Sequence, residues 1–187
     1  NLENLREALE ILSQEISLRR ITVSTAGVVP GIDAMAAWER RPNLAVSLHA
    51  PDDERRDRIM PINKSYPIAS LLEALERFPL EKGRRITFEY ILIRDFNDSV
   101  ADADALARRL KRIPSKINLI PANPDPVLGE QMVPPEPATI RAFQQRLMDR
   151  GYTATVRRRR GDDVSAACGQ LRAPSRDPRG FRGAVSI

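Results

Sequence analysis

The chain is poor in the residues that build disulfides and metal sites. Its 187 residues include one cysteine, Cys168, and one histidine, His49. A lone cysteine excludes an intramolecular disulfide, and a lone histidine beside it leaves no Cys/His cluster of the kind that ligates a metal. A reducing cytoplasm is the setting such a sequence predicts. No apolar run approaches the ~20 residues of a membrane helix. The opening "NLENLREALEIL" reads as an amphipathic helix and lacks the basic start and apolar block of a signal peptide. It also lacks an initiator methionine, so Asn1 is expected not to be the natural start. There is no phosphate-binding glycine loop and no dinucleotide fingerprint. "VSLHA" has no glycine elbow and no second histidine supplies a base, so a Ser–His hydrolase has little support.

What is present is an ordinary globular mixture, 42% apolar and 29% charged, long enough for one domain or a large part of one. Net charge is modest at +5, but its distribution is uneven. Arg157 to Arg160 are consecutive, and Arg172, Arg176, Arg179 and Arg182 follow. Charge alone favours a solvated arginine-rich face; a phosphate-contacting surface is the alternative.

Periodicity predicts a helix over 2–14, from Leu2, Leu5, Leu9 and Leu12. Further helices are expected over about 32–40, in "PDDERRDRI" with Asp52 and Asp53 near its N-terminus, in "PIASLLEALERF" with Pro67 near its first turn, in "VADADALARRLKRI" and in "EPATIRAFQQRLMDRG", closed by Gly151. Asn97, Asp98 and Ser99 are candidate caps. Strands are expected in "RRITVST", over about 44–49 in "LAVSLHA", over about 85–93 in "RRITFEYILI", in "KINLIPAN" and in "YTATVRRRR". Such alternation predicts parallel strands joined by helical crossovers. A barrel-like and a doubly wound sheet both fit. Residues 172–187 lack periodicity and are expected to form a flexible basic tail.

Parallel α/β folds place their sites at the C-terminal strand ends. Polar residues gather there: Ser24 and Thr25, then Ser47 and His49, Glu89 within the third strand, Asn123 past the fourth, and Asp162 and Cys168 beyond the fifth. Singly, each reads as a cap or turn residue. Together they suit a polar ligand such as a nucleoside. By itself Cys168 reads as a buried inert thiol. Against that, Ala166, Ala167 and Gly169 leave room for a substrate to approach.

The stretches "RITVSTAGVVPGI", "NLAVSLHAPDDERRDRIMPIN", "RRITFEYILIRDFNDS", "INLIPANP" and "VRRRRGDDVSAACGQL" together resemble the C-terminal part of the RlmN/Cfr family. These are radical S-adenosylmethionine enzymes that methylate adenine in ribosomal RNA. The likeness covers about residues 1–171, and "GDDVSAACGQL" resembles the branch whose product is 2-methyladenosine. It implies an α/β fold, the C-terminal part of a partial (β/α) barrel with about five parallel strands and covering helices. It implies S-adenosylmethionine contacts at Ser24, the Ser47–Leu48–His49 segment and Asn123, and a methyl-carrying role for Cys168. Partners would be 23S rRNA, possibly tRNA, and an external electron donor, with the protein a cytoplasmic monomer and no membrane.

In the family's chemistry the cysteine is methylated first, and a radical generated at a 4Fe–4S cluster then activates that methyl group for addition to adenine C2. The detour follows from C2 being too electron-poor to attack a methyl sulfonium. The family's CxxxCxxC cluster motif, its Gly-Glu cofactor motif and its resolving cysteine lie upstream and are absent from this sequence. One cysteine cannot hold such a cluster, so the isolated chain is expected to be an inactive C-terminal fragment with an exposed sheet edge. A non-catalytic RNA-binding remnant and a Cfr-like adenine C8 methyltransferase are the competing readings.

Overall fold

A computed structural model describes residues 1–123 and 132–157. Cys168, Asp162, Arg158 to Arg160 and the basic tail lie outside the described residues. The chain opens with helix α1 (Leu2–Leu12), then alternates β1 (Thr22–Thr25), α2 (Val29–Ala36), β2 (Asn43–Ser47), α3 (Asp53–Ile59), α4 (Ile68–Arg77), β3 (Ile86–Leu92), α5 (Val100–Arg109), β4 (Ser115–Pro121), α6 (Pro137–Asp149) and β5 (Thr153–Val156).

The five strands form one parallel sheet in the order β1-β2-β3-β4-β5. Each strand therefore lies beside the next one in sequence. A doubly wound sheet reverses direction at a switch point; here there is no reversal, so the winding is that of a barrel segment. β1 forms one edge of the sheet and β5 the other.

Side chains alternate across each strand, and the alternation separates two unlike faces. Val23, Val46, Phe88, Tyr90, Leu119 and their neighbours join one hydrophobic cluster with residues of all the larger helices, among them Ile32, Leu71, Leu106 and Phe143. Tyr90 packs on Phe143 with ring centroids 5.4 Å apart. The other face carries Ser24, Thr87, Glu89, Lys116, Asn118 and Thr155, which line a cleft of about 410 Å³.

Local chemistry sets the element ends. Asp52 caps α3 by accepting from the Arg55 amide (2.9 Å). Of the three candidate caps for α5, Ser99 takes the role, in a reciprocal capping box with Asp102. α2 starts at Val29, earlier than the spacing suggests, because Pro30 fits its first turn, and it ends before Trp38. Pro67, expected near the first turn of α4, is its N-cap residue. β2 stops at Ser47, short of the expected His49, because His49 leaves the strand with φ 63°. α1 ends at Leu12, the last apolar position of its pattern and two residues short of the expected 14. In β5 regular strand geometry ends at Val156, although the Arg157 amide still donates to the Leu119 carbonyl (2.8 Å).

Candidate functional site at the strand ends

Register brings the polar residues of the uncovered face into rows. Ser47 pairs with Glu89, Glu89 with Asn118, and Asn118 with Thr155. One layer deeper, Ser24, Ala45, Thr87, Lys116 and Thr153 align in the same manner. In the upper row the side chains are already connected. The Asn118 amide donates to Glu89 Oε2 (2.8 Å), and the Thr155 hydroxyl donates to Asn118 Oδ1 (3.2 Å). The amide is thereby oriented, and one Glu89 oxygen is committed to it.

Past β2 the chain turns sharply, and its backbone at Leu48 and His49 is tied down by hydrogen bonds. The Leu48 and His49 amides both donate to the Glu89 carbonyl (3.0 and 3.3 Å). The His49 carbonyl accepts from the Asn97 side-chain amide (2.8 Å), which also donates to the Ile91 carbonyl (2.8 Å). Asn97 Oδ1 accepts from the Ile93 amide (2.8 Å), and the Tyr90 hydroxyl donates to the Asn97 carbonyl (2.9 Å). A fully buried asparagine thus ties the His49 turn to the end of β3. The left-handed φ of His49 is unusual for a residue with a side chain, and this web holds it there.

The imidazole is fixed as well. His49 Nδ1 accepts from the Ile91 amide (3.2 Å), so Nδ1 carries no proton and Nε2 is the N–H donor of the neutral ring. Burial, and secondly the positive charge of Arg56, lower its pKa from 6.5 to about 4. Near neutral pH the ring is an uncharged hydrogen-bonding group.

The residues singled out from the sequence take different places. Ser24 is exposed on β1 and lines the cleft; Ser47 ends β2 in the Glu89 row; Asn123 lies just past β4. Leu48 is fully buried in the helix-side cluster, so it anchors the segment from below. Where Cys168 sits falls outside the described residues. Sequence reasoning missed Arg56, Asn63, Asn97's clamp, Asn118 and Thr155. The alternation of β4 and β5 was enough to find the last two, since each lies two residues from another position facing the same side.

A second cleft, about 460 Å³, opens at the opposite ends of β3 to β5, beside Arg85, Lys111 and Arg150. Lys111 and Arg150 lie just past the C-termini of α5 and α6, where cations offset the helix dipole. Their positions are explained without a ligand.

No family model matches the chain. Comparison with individual proteins is informative. The chain is 51% identical to the dual-specificity RNA methyltransferase RlmN of Paramagnetospirillum magneticum over 96% of its own length and 40% of that protein's. It is 48% identical to RlmN of Anaeromyxobacter dehalogenans, covering 92% of this chain and 47% of that one. The crystal structure of a radical SAM methyltransferase from Sphaerobacter thermophilus superposes with a TM-score of 0.84 at 48% identity, over 91% of this chain and 50% of that one. A domain of a pyruvate-formate lyase-activating enzyme from Bacteroides vulgatus shares the fold at 19% identity, with a TM-score of 0.59 over 84% of this chain and 93% of that domain. The chain spans about half or less of the RlmN-type proteins it matches. With these identities, and with a singly wound parallel sheet that superposes on a radical SAM methyltransferase, the chain is related over nearly its whole length to part of the RlmN-type proteins.

Proposed function

We propose that the protein containing this chain methylates adenine C2 in RNA, 23S rRNA foremost and tRNA with it, and that this chain contributes the wall against which S-adenosylmethionine lies. The observation that carries the reading is the row of hydroxyl, carboxylate and amide groups on the uncovered sheet face, in a chain 51% identical to an RlmN enzyme. The donor set fits that molecule. Ser24, Ser47 and the neutral His49 Nε2–H can meet its ribose hydroxyls and carboxylate. Glu89 can accept from its ammonium or hydroxyl groups, and Asn123, just past the C-terminal end of β4, is a further candidate contact. Leu48 serves by locking the segment that presents Ser47 and His49. S-adenosylmethionine, when bound, supplies the methyl group.

Cys168 is the methyl carrier in this reading. Its thiolate sulfur would form the new S–CH3 bond as the methyl–sulfonium bond of S-adenosylmethionine breaks and S-adenosylhomocysteine leaves, and the arginines at 157–160 lie close in sequence to receive RNA phosphate. The 4Fe–4S cluster that the family implies does not fit this chain. One cysteine and one histidine in the whole sequence fall short of the thiolates it requires. Its ligands and the reductant therefore belong outside this sequence, and the isolated chain does not methylate RNA.

The test is nucleoside mass spectrometry on RNA treated with the complete protein, against authentic standards. The expected product is 2-methyladenosine, abolished by Cys168→Ala. An 8-methyl product points to the Cfr-like branch. Undiminished methylation by Cys168→Ala contradicts the role given to the thiol, and no methylation at all by the reconstituted complete protein supports an RNA-binding remnant.

A further inference from the structure

Among the described residues the largest fully buried side chain is an arginine, Arg56 of α3. Burying a guanidinium is costly unless its donors are used. Here they are used on backbone. Nε donates to the Leu48 carbonyl (3.1 Å), and Nη2 donates to the Ser47 carbonyl (3.1 Å) and the Ala26 carbonyl (2.7 Å). Nη1 donates to Asn63 Oδ1 (2.8 Å). Ala26 is the residue after β1, while Ser47 and Leu48 close β2. One side chain therefore spans the C-terminal ends of two adjacent strands.

Two further observations point the same way. Asn63 is itself held, donating to Asp53 Oδ1 (3.0 Å) and Asp57 Oδ1 (2.7 Å). The positive charge thus reaches two carboxylates through an oriented amide. Gly27 crosses directly over the guanidinium with φ 102°; a Cβ there would lie 3.1 Å from Arg56 Nη2 and 3.1 Å from Leu71 Cδ2. The close approach and the left-handed backbone both call for glycine.

We infer that Arg56 is a positioning residue that sets the distance between the ends of β1 and β2, and so the placement of Ser24 against Ser47 and His49. It touches none of the ligand-facing groups itself. Its planar fork serves carbonyls that diverge from two strands; the single ammonium of lysine cannot reach them together. Its consequence for binding rests on the cofactor reading above, whereas the clamp itself does not.

Two measurements separate the two. The first is amide hydrogen exchange of the whole chain without ligand. In Arg56→Lys, exchange at Gly27, Leu48 and His49 is expected to rise about tenfold or more, while β3 and β4 keep their protection. Asn63→Ala removes the partner of Nη1 and the amide's bonds to Asp53 and Asp57 but leaves the carbonyl bonds of Nε and Nη2; it is expected to give a smaller rise at the same amides, and it decides the matter if Arg56→Lys does not fold. A rise spread evenly over all strands, or no rise, overturns the inference. The second is the S-adenosylmethionine affinity of the complete protein, expected to weaken about tenfold in Arg56→Lys with its helix and strand content unchanged. Equal affinity with confined exchange would restrict the clamp to the fold and overturn its positioning role. No binding by the wild type would overturn the cofactor reading and leave the exchange result standing.

Discussion

Within seven residues β3 faces two different environments. Ile86, Phe88, Tyr90 and Leu92 are fully buried beneath helices, while Thr87, Glu89 and Ile91 between them are only partly buried on the uncovered side. The first set is demanding in shape: its members fill space, and only Tyr90 among them adds a polar bond, to the Asn97 carbonyl. The second set is sparing in apolar area and particular in chemistry. Glu89 is met by Asn118, Asn118 by Thr155, and the row stays open to a cleft. Stability is concentrated on the covered face, and the ligand-facing groups are mounted on the other. A substitution should therefore report which face it strikes.

Phe88→Ala, on the covered face, is expected to cost about 3–5 kcal/mol, as large-to-small changes in a packed core do; urea unfolding followed by circular dichroism measures it. Asn97→Ala lies at the boundary. It leaves the Ile93 amide and the His49 and Ile91 carbonyls without their partner, and a loss of about 1–3 kcal/mol is expected in the same experiment. A loss as large as that of Phe88→Ala would show that the turn, and not only the helix side, carries the fold.

His49 gives the comparison a pH dependence. Unfolded, it takes up a proton near pH 6.5; folded, burial and Arg56 hold it neutral down to about pH 4. Across that window the unfolded state binds more protons, so this contribution leaves stability intact above pH 6.5 and erodes it as pH falls towards 4. Urea midpoints taken over the window should fall for the wild type and fall less for His49→Asn, which tolerates the left-handed backbone. Parallel slopes would mean that other groups govern the acid limb. The smallest effect on stability is expected for Glu89→Gln, within about 1 kcal/mol. Its cost should appear instead as weaker S-adenosylmethionine binding in the complete protein.

Much of the covered face was legible in advance. Five β-branched or apolar strands and their helices were placed within a few residues, because period and cap chemistry are local. Strand order was not legible. A barrel segment and a doubly wound sheet share the same alternation, and only pairing separates them. The end of β2 was misplaced because "LAVSLHA" gives no sign that His49 adopts a left-handed φ; the groups that hold the turn lie outside that segment, in Arg56 on the next helix and in Asn97, 48 residues on. Arg56 was hidden for a related reason. "DDERRDRI" has the composition of a solvated helix, and nothing local marks the one arginine that turns inward. Ser24, Ser47, His49, Asn123 and Cys168 were singled out as strand-end polar residues, then given roles by family resemblance. Asn97 was noticed only as a candidate cap.

The most direct test of the uncovered face as the cofactor wall is amide hydrogen exchange of the complete protein with and without S-adenosylmethionine. Slower exchange is expected at the ends of β1 and β2, residues 24–27 and 47–50, with no change around 111–115 and 150–153 beside the opposite cleft. Protection at that opposite end, or none at either, would contradict the assignment.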